Sequence, residues 1–466
     1  MRRSLREGEK MPEKNRWVRL DNASNIFLAA RNDTDTKVFR LSARVAGPVK
    51  PAVLQKALDK TFEQYVLYHS VLRRGIFWYY LEQSELKPKV QLETAPPCAQ
   101  IYHYDRRELL FRVLYHADRI HLEVFHALSD GTGAMGFFQD LLTEYLSLRY
   151  PEVYGNVDSL DSERLQKQME DSFAHYFRKT RQLNFAEAAQ SSLQTVTKVG
   201  KKAAHWFKST YSPVPVGRKK NVYRVRGEKT PDNRMHAIEL EMPVKEVLAL
   251  SRKEKVSLTI YLTALFVEAT QQTAPPSATP RTITVSVPVN LRQFFPSRTS
   301  RNFFSTTHLA YTYGEKKDTL SHVCQTFQDQ LQRQISPDSL ETRLNRLISY
   351  ELNPLARIVI RPLKDVLLKV INYFNNRNTS LAMSNLGRVE LPQPVDGYVE
   401  QVYFQTAAVR PQFCMISHGE HLTVTFTSPF VETAIQQRFV RMLTERGVSV
   451  TVAANKVTEE ELEGKR

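Results

Sequence analysis

The sequence predicts an α/β protein built from two sandwiches of strands and helices, and three observations carry that expectation. At 466 residues the chain exceeds what one hydrophobic core usually organises, so two domains of roughly 200 residues each are expected. It has material for two cores, being 42% apolar with 24 Phe and 20 Tyr, beside an ordinary 24% of charged residues. Segments of strand period and of helix period recur in both halves, without a short internal repeat.

Residues 1–16, MRRSLREGEKMPEKNR, are basic with no apolar run behind them, and read as a disordered leader rather than a secretory signal. The first unit, 17–151, opens with strand character through Phe27, Val38, Leu41 and Val45. Pro51 then stands in the first turn of a helix whose Leu54, Leu58, Phe62 and Tyr65 recur at helical spacing. VLRRGIFWYYLE has the aromatic density of a strand, and LLFRVLYHADRIHLEVF reads as a hairpin turning at His116 to Arg119. Counting by twos along its second strand puts Ile120, Leu122, Val124 and His126 on one face, with His121, Glu123 and Phe125 on the other. GTGAMGFFQDLLTEYLSLRY changes to helical period, with Phe138, Leu141, Leu142 and Tyr145 in one stripe.

Residues 152–234 are polar and then basic, from Lys198 through Arg226, and read as an insertion or linker whose amphipathic helices would lie on a surface. The second unit, 235–455, starts with a strand at HAIELEM, a helix from Pro243 and an apolar helix in SLTIYLTALFVEA. Strands ITVSVPVNLR and FFSTTHLAYTY follow, then a basic, apolar helix, NPLARIVIRPLKDVLLKVINYF, interrupted by Pro362. A short strand in SLAMSNLG, a hairpin in CMISHGEHLTVTFTS turning at HGEH, and a helix in VETAIQQRFVRMLTER close the unit; 456–466 is a charged tail.

A formal charge of +16 makes the surface attractive to anions: nucleic acid, acidic lipid or a phosphorylated small molecule. Cys98, Cys324 and Cys414 are far apart and outside any CxxC spacing, which suggests neither a disulfide framework nor a zinc site and fits a reducing cytoplasm. No apolar run reaches the eighteen residues of a spanning helix. GxSxG, GxxxxGK[ST], HExxH and EF-hand patterns are absent, and HGEH sits between strands as a hairpin turn, so no metal is expected.

The sharpest feature is HALSDG, His126 to Gly131, where a histidine leaves a buried strand row just ahead of an Asp-Gly turn. A general base needs a neutral imidazole and a fixed ring, and burial at a strand end provides both. The turn brings Asp130 close without requiring it to touch substrate.

HALSDG resembles the HxxxDG signature of the CoA-dependent acyltransferase superfamily, which includes chloramphenicol acetyltransferase, plant BAHD acyltransferases, alcohol acetyltransferases and the condensation domains of peptide synthetases. LQKALDKTFEQYVLYHSVLRRGIF resembles the superfamily's first helix with its His-x-x-Leu-Arg end at His69, Leu72 and Arg73. VPVNLR, ending in Arg292, is similar to the second-half segment that gives an arginine to the motif aspartate, and SNLG, Ser384 to Gly387, to a turn of the alcohol acetyltransferase branch. The resemblance runs from Trp17 to about Val450. Two departures stand out. Phe125 holds the place of the first of two adjacent histidines in condensation domains, which favours a CoA-type enzyme, and Arg301-Asn302 replaces a frequent Gly-Asn.

The resemblance implies two chloramphenicol-acetyltransferase-like sandwiches packed in a V as a pseudo-dimer, with His126 in a tunnel between them. His126 would take the proton of a hydroxyl or amine as it attacks an acyl thioester, with the Gly131 amide a candidate oxyanion donor. Asp130 would pair with Arg292 or, as second choice, Arg73; Ser384, Asn385 and Asn302 are candidate substrate-binding residues. No cofactor is implied, acyl-CoA being a co-substrate. The implied partners are acyl-CoA and a small lipophilic alcohol or amine, with the basic surface resting on the inner face of an anionic membrane. Competing expectations are a free-standing condensation-like domain fed by an acyl carrier protein and a non-catalytic binding protein of the same fold. Nucleic-acid binding rests on charge alone and is not expected.

Overall fold

Strand pairing sorts the chain into three sheets. The computed structural model describes residues 17–20, 22–152, 222–315, 318–351 and 361–463; the expected leader 1–16 and most of the basic segment 152–234 lie outside the described residues. In chain order the first part comprises β1 (Trp17–Arg19), α1 (Asn22–Ala30), β2 (Val38–Val45), α2 (Pro51–Gln64), β3 (Ser70–Arg74), β4 (Tyr79–Gln83), β5 (Val90–Leu92), β6 (Phe111–His116), β7 (Arg119–Phe125) and α3 (Gly131–Arg149). The second comprises β8 (His236–Pro243), α4 (Val244–Lys253), α5 (Leu258–Thr273), β9 (Arg281–Asn290), β10 (Phe304–Tyr313), α6 (Leu320–Gln334), α7 (Pro337–Glu351), α8 (Arg361–Arg377), β11 (Leu381–Val389), β12 (Val399–Thr406), β13 (Gln412–His418), β14 (His421–Ser428), α9 (Ala434–Thr444), β15 (Thr451–Ala454) and α10 (Glu459–Leu462).

The sheets run β1-β4-β3, β12-β2-β7-β6-β5 and β10-β9-β11-β13-β14-β8-β15. This is the mixed α/β architecture expected, with helices packed on two large sheets. Helix α2 starts at Pro51 and buries Leu54, Leu58 and Phe62 beside α3, whose Phe138, Leu141, Leu142 and Tyr145 form the expected inner stripe. Helix α5 is buried on all sides from Ile260 to Val267 and fills the second core together with Ile283, Val285, Phe413 and Phe426. Among the described residues no helix is long and apolar enough to cross a membrane.

Strand β12 does not pair within the second half. It adds antiparallel to β2 at the edge of the first large sheet, with Thr406 opposite Phe39; residues 407–411 then carry the chain to β13 in the other large sheet. Charged pairs also join the two sheets: Arg119 on β7 meets Glu239 on β8 at 2.7 Å, and Arg44 on β2 meets Glu241 at 3.3 Å.

The β6–β7 hairpin and the HGEH hairpin form as expected. Three segments differ. Phe27 lies in α1, not a strand, because the short apolar run around it has no decisive period. VLRRGIFWYYLE is two strands, β3 and β4, folded on each other at residues 75–78. The interruption expected at Pro362 falls next to residues 352–360, which lie outside the described residues; from Arg361 onward the segment is helix α8. SNLG is no isolated turn but part of the nine-residue β11, with its irregularity between Asn385 and Arg388. The alternation along β7 is correct, yet neither face is solvated: Glu123 is fully buried, held by Arg40 and Arg112.

Candidate active site

Strand β7 ends at Phe125, and the next residue turns out of the sheet with its N–H donating to the Lys37 carbonyl at 2.8 Å. The His126 ring is packed between Phe27, 4.3 Å away by ring centres, and Phe39, 4.8 Å away. This burial pushes its pKa down to about 4, because desolvation disfavours the imidazolium; Asp130 and Asn302 oppose the shift and Lys37 adds to it. The ring is therefore neutral near pH 7. Its Nδ1 is buried without a hydrogen bond of good geometry, so Nε2 is the nitrogen left to meet a reactant.

The loop that presents the ring is clamped from outside. Asn302 donates to the His126 carbonyl at 2.8 Å and to Ser24 Oγ at 3.0 Å, while Ser24 donates to the Ala127 carbonyl at 2.9 Å. Asp130 caps α3, one oxygen accepting the Gly133 N–H at 2.8 Å. Its other oxygen accepts from Arg292 Nη1 and from the Phe303 N–H, each at 2.8 Å. Arg292 in turn donates to the Thr299 and Arg301 carbonyls at 2.9 and 2.7 Å. A carboxylate so satisfied is a tie between the halves.

Arg292 is thus the partner of Asp130, and Arg73 is not: Arg73 lies on β3 and pairs with Glu82 at 2.9 Å. His69 stacks on Phe62 and contacts its carbonyl. Gly131 stands at the first position of α3, where its N–H has no acceptor within the helix. A Cβ there would come within 2.7 Å of the Leu386 side chain. Gly133 is tighter still, since a Cβ would lie 2.2 Å from the Ser300 carbonyl oxygen on the other half.

A cavity of about 270 Å³ opens here, lined by His126, Gly131, Thr132, Ser384, Asn385 and Arg410 among others. Ser384 and Asn385 therefore reach it, although the Asn385 amide is engaged with Thr259 and the Gly387 N–H. Asn302 is not among the lining residues; its amide is engaged with the His126 carbonyl and Ser24 Oγ. A larger cavity, about 700 Å³, lies away from these residues, among Tyr223, Arg281 and Phe430. Among the described residues no group of three His, Cys, Asp or Glu is placed to hold a metal, and His418 of the HGEH turn pairs with Asp396 at 2.9 Å.

Sequence reasoning missed Phe27 and Phe39, which set the histidine's charge state, and Gly133, which lets the halves close. It also passed over Ser24 and Arg410. Only Gly133 left a signal, as a second glycine in a helix start where glycine is costly.

No curated protein matches the chain by sequence. Solved structures do match by fold. TRI101 of F. graminearum, complexed with coenzyme A and T-2 mycotoxin, aligns over 93% of this chain and 99% of its own, at 10% identity and a TM-score of 0.60. The trichothecene 15-O-acetyltransferase TRI3 of Fusarium sporotrichioides aligns over 92% and 95%, at 10% identity and 0.57. The first condensation domain of the calcium-dependent antibiotic synthetase aligns over 92% and 96%, at 15% identity and 0.55. The family model for alcohol acetyltransferase matches residues 117–419, which include His126, Asp130, Arg292 and Ser384, and the chain accordingly belongs to that acyltransferase family.

Proposed function

We propose that the protein transfers an acyl group, acetyl in the first instance, from acyl-CoA to a hydroxyl or amine, with His126 as general base. The observation that carries this reading is the histidine itself, held neutral, with Nε2 free and its loop tied across the two halves. Nε2 accepts the acceptor's proton as its oxygen or nitrogen attacks the thioester carbonyl carbon. The resulting oxyanion is stabilised by the Gly131 N–H at the positive end of α3. Collapse breaks the C–S bond, and the proton passes from the imidazolium to the leaving thiolate. Asp130 and Arg292 position the loop and take no proton.

The test is thioester consumption by wild type and His126→Ala, with acetyl- and longer acyl-CoA donors and pooled alcohols and amines. Transfer that vanishes in a folded variant supports the reading; equal activity in the variant removes His126 from the chemistry. The likeness to a condensation domain favours a second reading, an acyl carrier protein as donor, and direct donor competition separates the two. Against it, Phe125, in the place of a condensation domain's first histidine, is buried, stacked on Tyr102 and outside the lining of the cavity.

A cytoplasmic enzyme in peripheral contact with an anionic membrane, where lipophilic acceptors partition, is part of the proposal. Helix α8 supports it: Leu363, Val366, Val370, Tyr373 and Phe374 are about half exposed, interleaved with Lys364, Lys369 and Arg377. Flotation with anionic liposomes should show binding that salt abolishes, and no binding discards this part.

A further inference from the structure

Arg410 stands in the short segment between β12 and β13, where the chain passes from one large sheet to the other, and lines the same cavity as His126. A guanidinium carries five N–H donors. Here one hydrogen bond is made, from Nη2 to Asn376 Oδ1 near the end of α8, and no carboxylate lies at ion-pair distance among the described residues. The two carboxylates that line the cavity are engaged elsewhere, Asp35 with Lys37 and Asp130 with Arg292. Two other interior arginines are matched by carboxylates: Arg40 is held by Glu93 and Glu123, and Arg292 by Asp130 and two carbonyls.

Asp35 attracts Arg410 only from beyond ion-pair distance, and a part-buried cation with no carboxylate in direct contact is costly unless a ligand completes it. The guanidinium fork fits a carboxylate with two parallel hydrogen bonds, a geometry no ammonium reproduces. Coenzyme A would not supply the anion, because its pantetheine arm keeps the phosphates a long chain away from the thioester carbon that must reach His126. We infer that Arg410 receives a carboxylate carried by one of the two reacting groups, the acceptor or the acyl chain, so that the enzyme selects an anionic substrate. This rests on the acyltransferase reading and names the substrate class for it.

The test uses the full chain and substrates matched in size but not in charge. One arm pairs acetyl-CoA with a chain-length series of short hydroxy acids and their methyl esters; the other pairs succinyl-CoA and butyryl-CoA with a neutral alcohol. In one arm wild type should favour the carboxylate in kcat/KM by about 10- to 100-fold, the span of a hydrogen-bonded charge. Arg410→Gln should erase that preference, falling far more with carboxylates than with esters, and Arg410→Lys should restore part of it. The arm that responds identifies which group carries the charge. No preference in either arm, or an equal loss with charged and neutral partners, overturns the inference and leaves Arg410 as a structural tie to α8. Calorimetric titration of the His126→Ala chain with the hydroxy acids and with succinate reads binding without turnover. Binding that needs Arg410 while no donor is consumed would sink acyl transfer and keep the anion site.

Discussion

The two halves of the molecule contribute to the His126 cavity in different ways. The first half carries, on the histidine loop, the two groups to which the proposed reaction assigns chemistry, His126 and the N–H of Gly131. The second half provides what holds that loop still: Arg292 and the Phe303 amide on Asp130, and Asn302 on the His126 carbonyl. Reactivity and rigidity thus come from opposite sides of one interface. Under the proposed reaction, a base carried by one half and fixed by the other has its working geometry only when the two are docked. The buried Asp130–Arg292 pair is then better read as a registration device than as a source of net stability.

The sharpest way to break this division is His126→Ala, which should lower kcat by about 100- to 10,000-fold while circular dichroism and the melting temperature stay put. A loss below tenfold would move the chemistry off the first half. Asp130→Ala should next destabilise by about 3–5 kcal/mol in urea titration, since it leaves the Arg292 charge buried alone. Arg292→Ala should do likewise, and the double variant should cost less than the sum; strict additivity would mean that the halves are not coupled through this pair. The pH profile sharpens the contrast. Because burial lowers the His126 pKa to about 4, the neutral base survives acidification, and kcat/KM should hold from pH 7 to pH 5. An imidazole of pKa near 6.5 would lose about 30-fold over that interval. Gly133→Ala, which drives a methyl group into Ser300 across the interface, should cost about 1–3 kcal/mol and reduce kcat without altering any reactive group. The smallest effect belongs to Arg73→Ala, at most about 1 kcal/mol with unchanged turnover, because its pair with Glu82 is exposed.

The catalytic loop was legible in the sequence because its parts are local. A period-2 row delivers His126, and Asp130 and Gly131 form the next turn, a cap and helix start with a fixed residue spacing. Arg292 was legible only through its family segment, since 162 positions separate it from Asp130 and no spacing rule spans them. Arg73 shows the limit of that route: it occupies a recognisable segment, yet Glu82 on the facing strand of the hairpin, diagonal to it, captures it. For Asn302 the sequence shows an amide near the site and not which carbonyl it meets; the structure puts it on that of His126. The aromatic pocket of Phe27 and Phe39 was hidden, as each phenylalanine is an ordinary apolar residue in its own element and only their convergence on the His126 ring makes the pair.

The membership of β12 in the first large sheet bears on when the protein becomes competent during synthesis. The sheet that ends at His126 stays open along the β2 edge until residues 399–406 have left the ribosome, and Arg292, Asn302 and Phe303 are themselves made long after the histidine they hold. At about 5–20 residues per second that interval is on the order of tens of seconds. Nascent chains cut short before β12 carry the whole HALSDG loop but lack the strand that closes its sheet and pairs with β2.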